Sequence, residues 1–243
     1  PPPRRRYNKE ACKADFPSLK WFSQASRADL VSGGVDARGN DHPAGRCLRA
    51  TYPAGAVGPG EGGAQFKVTL TPRDEYYLDY HLKFGEGFEF VKGGKLPGLT
   101  GGRGNTGGNK ATGDGWSARY MWRRGGKGVV YLYHLDQEKK YGTDLPLGVT
   151  FKTGRWYRIT QRVRVNTPDK KDGVLQVWVD GKPALNRGDL RYRNIDGAKV
   201  DQFYFSTFHG GSNETWAPQN KCYLYFDRIR IHPGPSRLDL TPF

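Results

Sequence analysis

The 243-residue sequence is poor in the residues that metal and thiol chemistry use, with five histidines, three cysteines and one methionine. His42, His81, His134, His209 and His232 are too scattered to read as a metal site. No CxxC, HExxH, GxSxG or GxxxxGK[ST] occurs. Their absence removes redox dithiols, zinc proteases, hydrolases with a nucleophile elbow and phosphate-cradling loops. No apolar run approaches the ~18 residues of a membrane span. The opening PPPRRRYNKE has no apolar segment behind it to read as a signal peptide. Acidic residues are outnumbered, 24 against 39 Lys and Arg. A retaining glycosidase needs two carboxylates about 5–5.5 Å apart. The nearest pair, Glu86 and Glu89, falls on opposite faces of any strand because of its odd spacing. An odd cysteine count leaves at least one unpaired. Cys222 alternates with Leu224 and Phe226 and is expected to be a buried free thiol. Cys12 and Cys47 are the candidates for a disulfide, which would indicate secretion.

What is present is aromatic, turn-rich and basic. Aromatics make up 13% of the chain, with 34 Gly and 16 Pro. Runs such as AQFKVTL, YYLDYHLKF, RWYRITQRVRV and DQFYFSTF, separated by short Gly/Pro/Asp/Asn breaks, read as strands. Their spacing predicts an all-β fold, a two-sheet antiparallel sandwich of the jelly-roll kind. We expect one domain over residues 1–243, with 1–10 a flexible tail. Asp180-Gly181 carries a hairpin signal. FPSLKWFSQASRADL reads as a short helix or an irregular wrap, and VKGGKLPGLTGG, residues 91–102, reads as a loop presenting Lys95. The net charge of +15 favours a polyanionic partner, whether nucleic acid, anionic membrane or acidic polysaccharide.

Strand alternation selects the candidate chemistry. In WSARYMW, Trp116, Ala118, Tyr120 and Trp122 take one face, and Ser117 and Arg119 the other. In VVYLYHL, Val130 and Leu132 face with His134, while Tyr131 and Tyr133 take the opposite side. The short RRGGKG connection pairs the two strands, so Ser117, Arg119, Tyr131 and Tyr133 meet. Such a face can be an ordinary solvated sheet surface with Tyr favoured by β propensity. With Lys95 it can also serve one reaction, cleavage of a polyuronate by β-elimination. That reaction removes the C5 proton beside a carboxylate and expels the 4-O-linked sugar. Cations offset the carboxylate charge, and a base and an acid move the two protons. A tyrosine can do both if neighbouring cations lower its pKa.

With these residues in view, the sequence resembles the polyuronate lyases of polysaccharide lyase family 14 and is also similar to the family 20 glucuronan lyases. The resemblance rests on GGKLPGL, WSARYMW, VVYLYHLDQEKKYG and FSTFHGGSNETWAP…YLYFDRIRI, over roughly residues 60–232. It implies a jelly roll with a substrate groove on one sheet, and site roles for Lys95, Ser117, Arg119, Tyr131 and Tyr133. The departure is His209, which stands where an aromatic is expected. The expected enzyme cleaves alginate or polyglucuronate by β-elimination. Tyr133 or Tyr131 serves as base and acid, Lys95 and Arg119 stabilise charge, and Ser117 orients substrate. Gln65, Gln137 and His209 are further candidates for substrate contacts. No catalytic metal or other cofactor is expected, though a structural Ca²⁺ using Asp227 is possible for a jelly-roll lyase. The partner is an acidic polysaccharide, not nucleic acid or membrane, and the protein is expected to be secreted and monomeric. The alternative is a carbohydrate-binding jelly roll that holds anionic polysaccharides without cleaving them. A basic stripe of Arg158, Arg162 and Arg164 would suit nucleic acid, but no nucleic-acid module accompanies it.

Overall fold

In the computed structural model, which describes residues 5–36, 38–234 and 240–243, the alternating segments become strands. In chain order these begin with β1 (Arg5–Arg6), β2 (Leu19–Ser23), β3 (Ala28–Val35), β4 (Asp41–Tyr52) and β5 (Ala64–Arg73). The middle of the chain forms β6 (Glu75–Phe84), β7 (Gly93–Gly102), β8 (Gly115–Arg123), β9 (Lys127–Tyr133) and β10 (Thr143–Thr150). The last five are β11 (Trp156–Arg164), β12 (Gly173–Val179), β13 (Lys182–Leu190), β14 (Val200–His209) and β15 (Cys222–His232). Two short helices, α1 (Lys9–Asp15) and α2 (Gly58–Glu61), interrupt them.

Two antiparallel sheets result. One has eight strands in the order β1-β3-β4-β15-β6-β11-β12-β13, the other seven in the order β10-β9-β8-β7-β14-β5-β2. Between them lies a continuous core built largely of rings, as the aromatic content predicts. Trp116, Trp122, Tyr80, Tyr120, Phe66 and Phe205 are all buried in it. Phe66 and Phe205 stack at 4.5 Å, and Phe205 meets Phe226 of the facing sheet edge-on at 4.7 Å. Truncating one such ring typically costs about 3–5 kcal/mol, through lost burial and the cavity left behind. This is the expected two-sheet jelly roll. The Asp-Gly signal is realised as well, with Asp180 and Gly181 both at positive φ between β12 and β13.

The GGKLPGL segment differs from the loop expectation. It is β7, paired with β8 on one side and β14 on the other. Proline cannot donate to a ladder and in a sheet interior needs a bulge. The register indeed shifts between Leu96 and Leu99. The freed groups are satisfied from the opposite sheet. Leu99 N donates to Gln161 Oε1 at 3.1 Å, and Gln161 Nε2 donates to Ala118 O at 2.7 Å. Glycine is required on both sides of Lys95 by close approach. A Cβ on Gly94 would lie 2.1 Å from the Trp122 ring, and one on Gly98 2.2 Å from Ala118 O. A central bulged strand therefore imitates a loop in sequence.

Other expectations change at the N-terminus and the cysteines. Of the flexible tail expected over 1–10, residues 1–4 lie outside the described residues, while 5–10 enter β1 and α1. The segment read as a helix or wrap contains β2 and the start of β3. Cys12, Cys47 and Cys222 are all free and buried, so the Cys12–Cys47 disulfide is not formed. Among the described residues no helix is long and apolar enough to cross a membrane. Asp227 is not grouped with two further ligating side chains among the described residues. Its oxygens instead accept from Val35 N and Arg228 N, at 2.8 and 2.7 Å. Glu86 and Glu89 form no glycosidase pair, because Glu89 is occupied in holding the backbone of Gln219 and Asn220.

Candidate active site

Pairing across β7, β8 and β9 fixes which side chains become neighbours. Ser117 lies opposite Tyr133, Arg119 opposite Tyr131, and Lys95 opposite Met121. Directly opposed residues on one face of an antiparallel pair have Cβ atoms about 4.5–5.5 Å apart. The four residues expected on β8 and β9 thus meet, and Lys95 joins them from the strand beside β8. Its Nζ lies 3.4 Å from the centroid of the Tyr131 ring and 2.8 Å from Met121 Sδ. On the far side of β7, β14 adds Tyr204 and Ser206, and β5 adds Gln65 and Lys67. Arg119 donates to Ser206 Oγ at 3.1 Å, and Gln65 Oε1 accepts from both Tyr204 and Ser206. Gln65 therefore belongs to the arginine's support.

The electrostatics depart from the expected allocation of roles. Burial, then Arg119 and Arg123, hold the Lys95 amine well below the ordinary lysine range, against a smaller opposing pull from Asp144. Tyr131 moves the other way. Burial and then the neighbouring Tyr133 raise its phenol above its ordinary value, with Arg123 opposing. The arrangement thus favours a neutral amine at Lys95 and a protonated phenol at Tyr131. Arg119 does not make Tyr131 a phenolate. Arg119 itself is buried, and its Nε has no hydrogen-bond partner.

Two of the expected participants also hold a neighbouring loop. Ser117 Oγ donates to Asn105 O at 2.6 Å, and Gly108 N donates to the Tyr133 hydroxyl at 2.9 Å. Residues 103–114 are thus pinned beside the tyrosines. On the other side a cleft of about 580 Å³ is lined by Arg123, Tyr131, His134, Tyr141 and Asp144. Arg123 is anchored there by paired bonds to Asp144 at 2.8 and 2.6 Å.

Two sequence candidates are not brought to this cluster. His209 points into the core, stacked on Phe88 at 5.5 Å, its Nε2 2.8 Å from Glu89 O. There it fills the place of the aromatic residue expected in its position. Gln137 spends its amide on Lys139 O and accepts from His134 N, which shapes the turn after β9. Met121, Arg123, Tyr204 and Ser206 were missed. Alternation from Ser117 and Arg119 already places Met121 and Arg123 on that face. Tyr204 and Ser206 alternate in DQFYFSTF, but nothing local tells which face of β14 looks outward.

The sequence model of the family described as Polysaccharide lyase 14 matches residues 40–229. Among solved structures, the chain is similar to the alginate lyase Aly36B, with 27% identity and a TM-score of 0.80, covering 95% of this chain and 93% of that one. Two variants of that lyase were solved with an alginate tetrasaccharide and an alginate trisaccharide. In them alanine replaces a lysine together with a tyrosine or a methionine. The alginate lyase of Aplysia kurodai is 28% identical, with a TM-score of 0.76 over 93% of this chain and 95% of that one. The endo-β-1,4-glucuronan lyase of Trichoderma reesei shares the fold at 14% identity and a TM-score of 0.57, over 89% and 91%. A search of curated proteins returns no match.

Proposed function

The chain belongs to the polysaccharide lyase 14 family, and from that premise we propose how its site cleaves an acidic polyuronate such as alginate by β-elimination. The observation that carries the proposal is the Lys95 amine, half-buried above the Tyr131 ring, with its pKa held well below the ordinary lysine value by desolvation and by Arg119 and Arg123. A neutral amine can accept the C5 proton, whereas an ordinary ammonium cannot. Arg119 offsets the substrate carboxylate as negative charge builds on it, held in place by Ser206, with Gln65 bonded behind. The Tyr131–Tyr133 pair then protonates the departing 4-oxygen, Tyr131 being the member that lines the cleft. The C4–O bond breaks as the C4–C5 double bond forms, leaving a 4,5-unsaturated uronate at the new non-reducing end. In the Aly36B variants the replaced residues are a lysine with a tyrosine or a methionine. Here Lys95, Met121 and Tyr131 meet at one point.

These steps run on the chain's own side chains. Ser117 acts at one remove, by holding the loop beside the tyrosines. Working as a monomer, the enzyme would meet its polymer outside the cell, since a long polyuronate does not cross a membrane. The free state of Cys12 and Cys47 removes the disulfide as an argument for secretion. Incubation with alginate and polyglucuronate tests the reading, by the ultraviolet absorbance of the conjugated product. Binding with no new absorbance would instead identify a non-catalytic carbohydrate-binding protein.

A further inference from the structure

Tyr133 is fully buried, so no sugar can touch it, yet its neighbour Tyr131 lines the cleft. The two rings meet edge-on at 5.4 Å, and the ionisation of Tyr131 responds to Tyr133 through a hydrogen bond and through charge. Backbone walls the Tyr133 ring, since a Cβ on Gly142 would lie 2.9 Å from both Cδ2 and Cε2. The Tyr133 hydroxyl oxygen accepts from Gly108 N at 2.9 Å. Any part Tyr133 plays in the reaction passes through a neighbour, and Tyr131 is the one that faces the substrate.

The sequence TGGN builds the turn that aims this amide. Asn109 N and Nδ2 both donate to Thr106 O, at 3.2 and 2.9 Å. The two central residues, Gly107 and Gly108, lie at φ +66 and +84, the pair of positive angles that a type I′ turn requires. Asn105 anchors the turn to the sheet, accepting from Ser117 Oγ and donating through Nδ2 to Lys110 O at 2.8 Å. Gly107, Asn109 and Lys110 stay exposed while the Gly108 N–H points inward onto the phenol. A Cβ on Gly108 would lie 2.8 Å from Tyr141 Cε1, so the turn also abuts the segment beyond β9. The charged groups facing the tyrosines are Lys95 above Tyr131, Arg119 beside both rings, and Arg123 with its partner Asp144 at Tyr131. Gly108 is the donor that reaches the Tyr133 oxygen.

We propose that the Gly108 amide acts through Tyr133 on the acid of the reaction, by supporting the negative charge left when Tyr131 gives its proton to the departing 4-oxygen. The inference rests on the polyuronate-lyase reading and makes Gly108 a positioning residue. The Tyr131 O–H bond breaks as a new O–H bond forms on the leaving sugar. The charge left on Tyr131 draws on the Tyr133 hydroxyl, and the Gly108 N–H answers the charge that gathers on the Tyr133 oxygen. The proton that Lys95 takes from C5 then restores Tyr131, so the cycle neither gains nor loses one. A backbone N–H held in a turn serves this purpose well, because it is already aimed where the charge develops.

The test replaces Gly108 by glycolate, which turns one amide into an ester and removes the N–H without adding a side chain. On alginate, kcat is expected to fall about tenfold, the loss of one hydrogen bond to a charged group, with KM changed less than about twofold. The same replacement at Gly107, whose N–H makes no hydrogen bond among the described residues, should leave both constants as in the parent. A fluorotyrosine in place of Tyr131, a more acidic phenol, should restore most of the lost kcat in the Gly108 ester. A loop needed for its shape alone would show no such rescue. Unchanged kcat in the Gly108 ester, equal losses in the two esters, or no rescue would overturn the inference and leave the lyase reading standing. If the parent binds alginate without cleaving it, the lyase reading fails. Fluorine NMR then follows the same fluorotyrosine through a pH titration. A higher midpoint in the Gly108 ester than with the amide intact would still support the action of Gly108 on the pair, and equal midpoints would overturn it.

Discussion

On the outer face of the eight-stranded sheet, Arg158 meets Asp79 at 2.9 Å, Arg162 meets Glu75 at 3.0 Å and Arg49 meets Asp29 at 3.2 Å. On the outer face of the seven-stranded sheet, Lys95, Arg119 and Lys67 make no ion pair within 4.0 Å among the described residues. Both faces present cations on alternate strand positions, and sequence alone makes them look alike. Of the basic stripe of Arg158, Arg162 and Arg164, the first two have their charge answered by the protein's own acids and stabilise the sheet, while Arg164 is exposed and donates to Asp172 O at 3.4 Å. Arg119 and Lys67 are left without an acid to answer them and partly desolvated, a state that a polyanion relieves, while the same surroundings lower the pKa of Lys95. Unpaired charge, more than charge itself, marks the functional face.

The comparison breaks most visibly at Lys95. Lys95→Met is expected to lower kcat by about 10²–10⁴-fold, the range for losing a general base. It should not lower Tm. The folded protein holds Lys95 with fewer protons than the unfolded chain between its depressed pKa and the ordinary 10.5. Stability therefore falls as pH drops through that window, and the penalty is fully present below it. Removing the amine removes the penalty. Near-native turnover on a substrate the parent cleaves would refute the assignment, and thermal melts with circular dichroism check the fold. The Tyr131→Phe/Tyr133→Phe double variant should follow, at about 10²-fold or more in kcat.

The pH profile sharpens the same point. The rate should rise with pH as Lys95 loses its proton, with the midpoint well below 10.5. It should fall only where Tyr131 ionises, above the ordinary 10.0. An acidic limb unchanged in its midpoint when Arg123, which helps depress Lys95, is replaced by Gln would count against Lys95 as its source.

On the opposite face the effects should be structural and smaller. Asp79 accepts from Arg158 and Thr160 and is buried. Asp79→Ala should cost about 1–3 kcal/mol in denaturant unfolding and leave kcat per folded molecule intact. A large kcat loss in that variant would erase the distinction between the faces. The smallest catalytic effect belongs to Ser117→Ala, about tenfold or less, because it loosens the Asn105 loop and touches no reacting atom. EDTA is expected to change neither kcat nor the circular-dichroism spectrum. Immediate loss of activity with the fold intact would overturn a mechanism built on side chains alone.

Much of this site was legible in the sequence because strand alternation is a local property. The pleat alone puts Ser117, Arg119 and Met121 on one side of β8, and Tyr131 and Tyr133 on one side of β9. The core rings followed from the same rule. What local pattern could not supply was the partner of each group. GGKLPGL has the composition of a loop, and only Gln161, reaching from the other sheet, lets it lie as a bulged central strand. His209 was drawn into the core by Phe88, Tyr52 and Trp122, which arrive from three separate segments. The lowered pKa of Lys95 and the neutralised charge of Arg158 have the same origin. Desolvation and Coulomb energy depend on atoms a few ångströms away, and in this fold those atoms come from strands far apart in sequence.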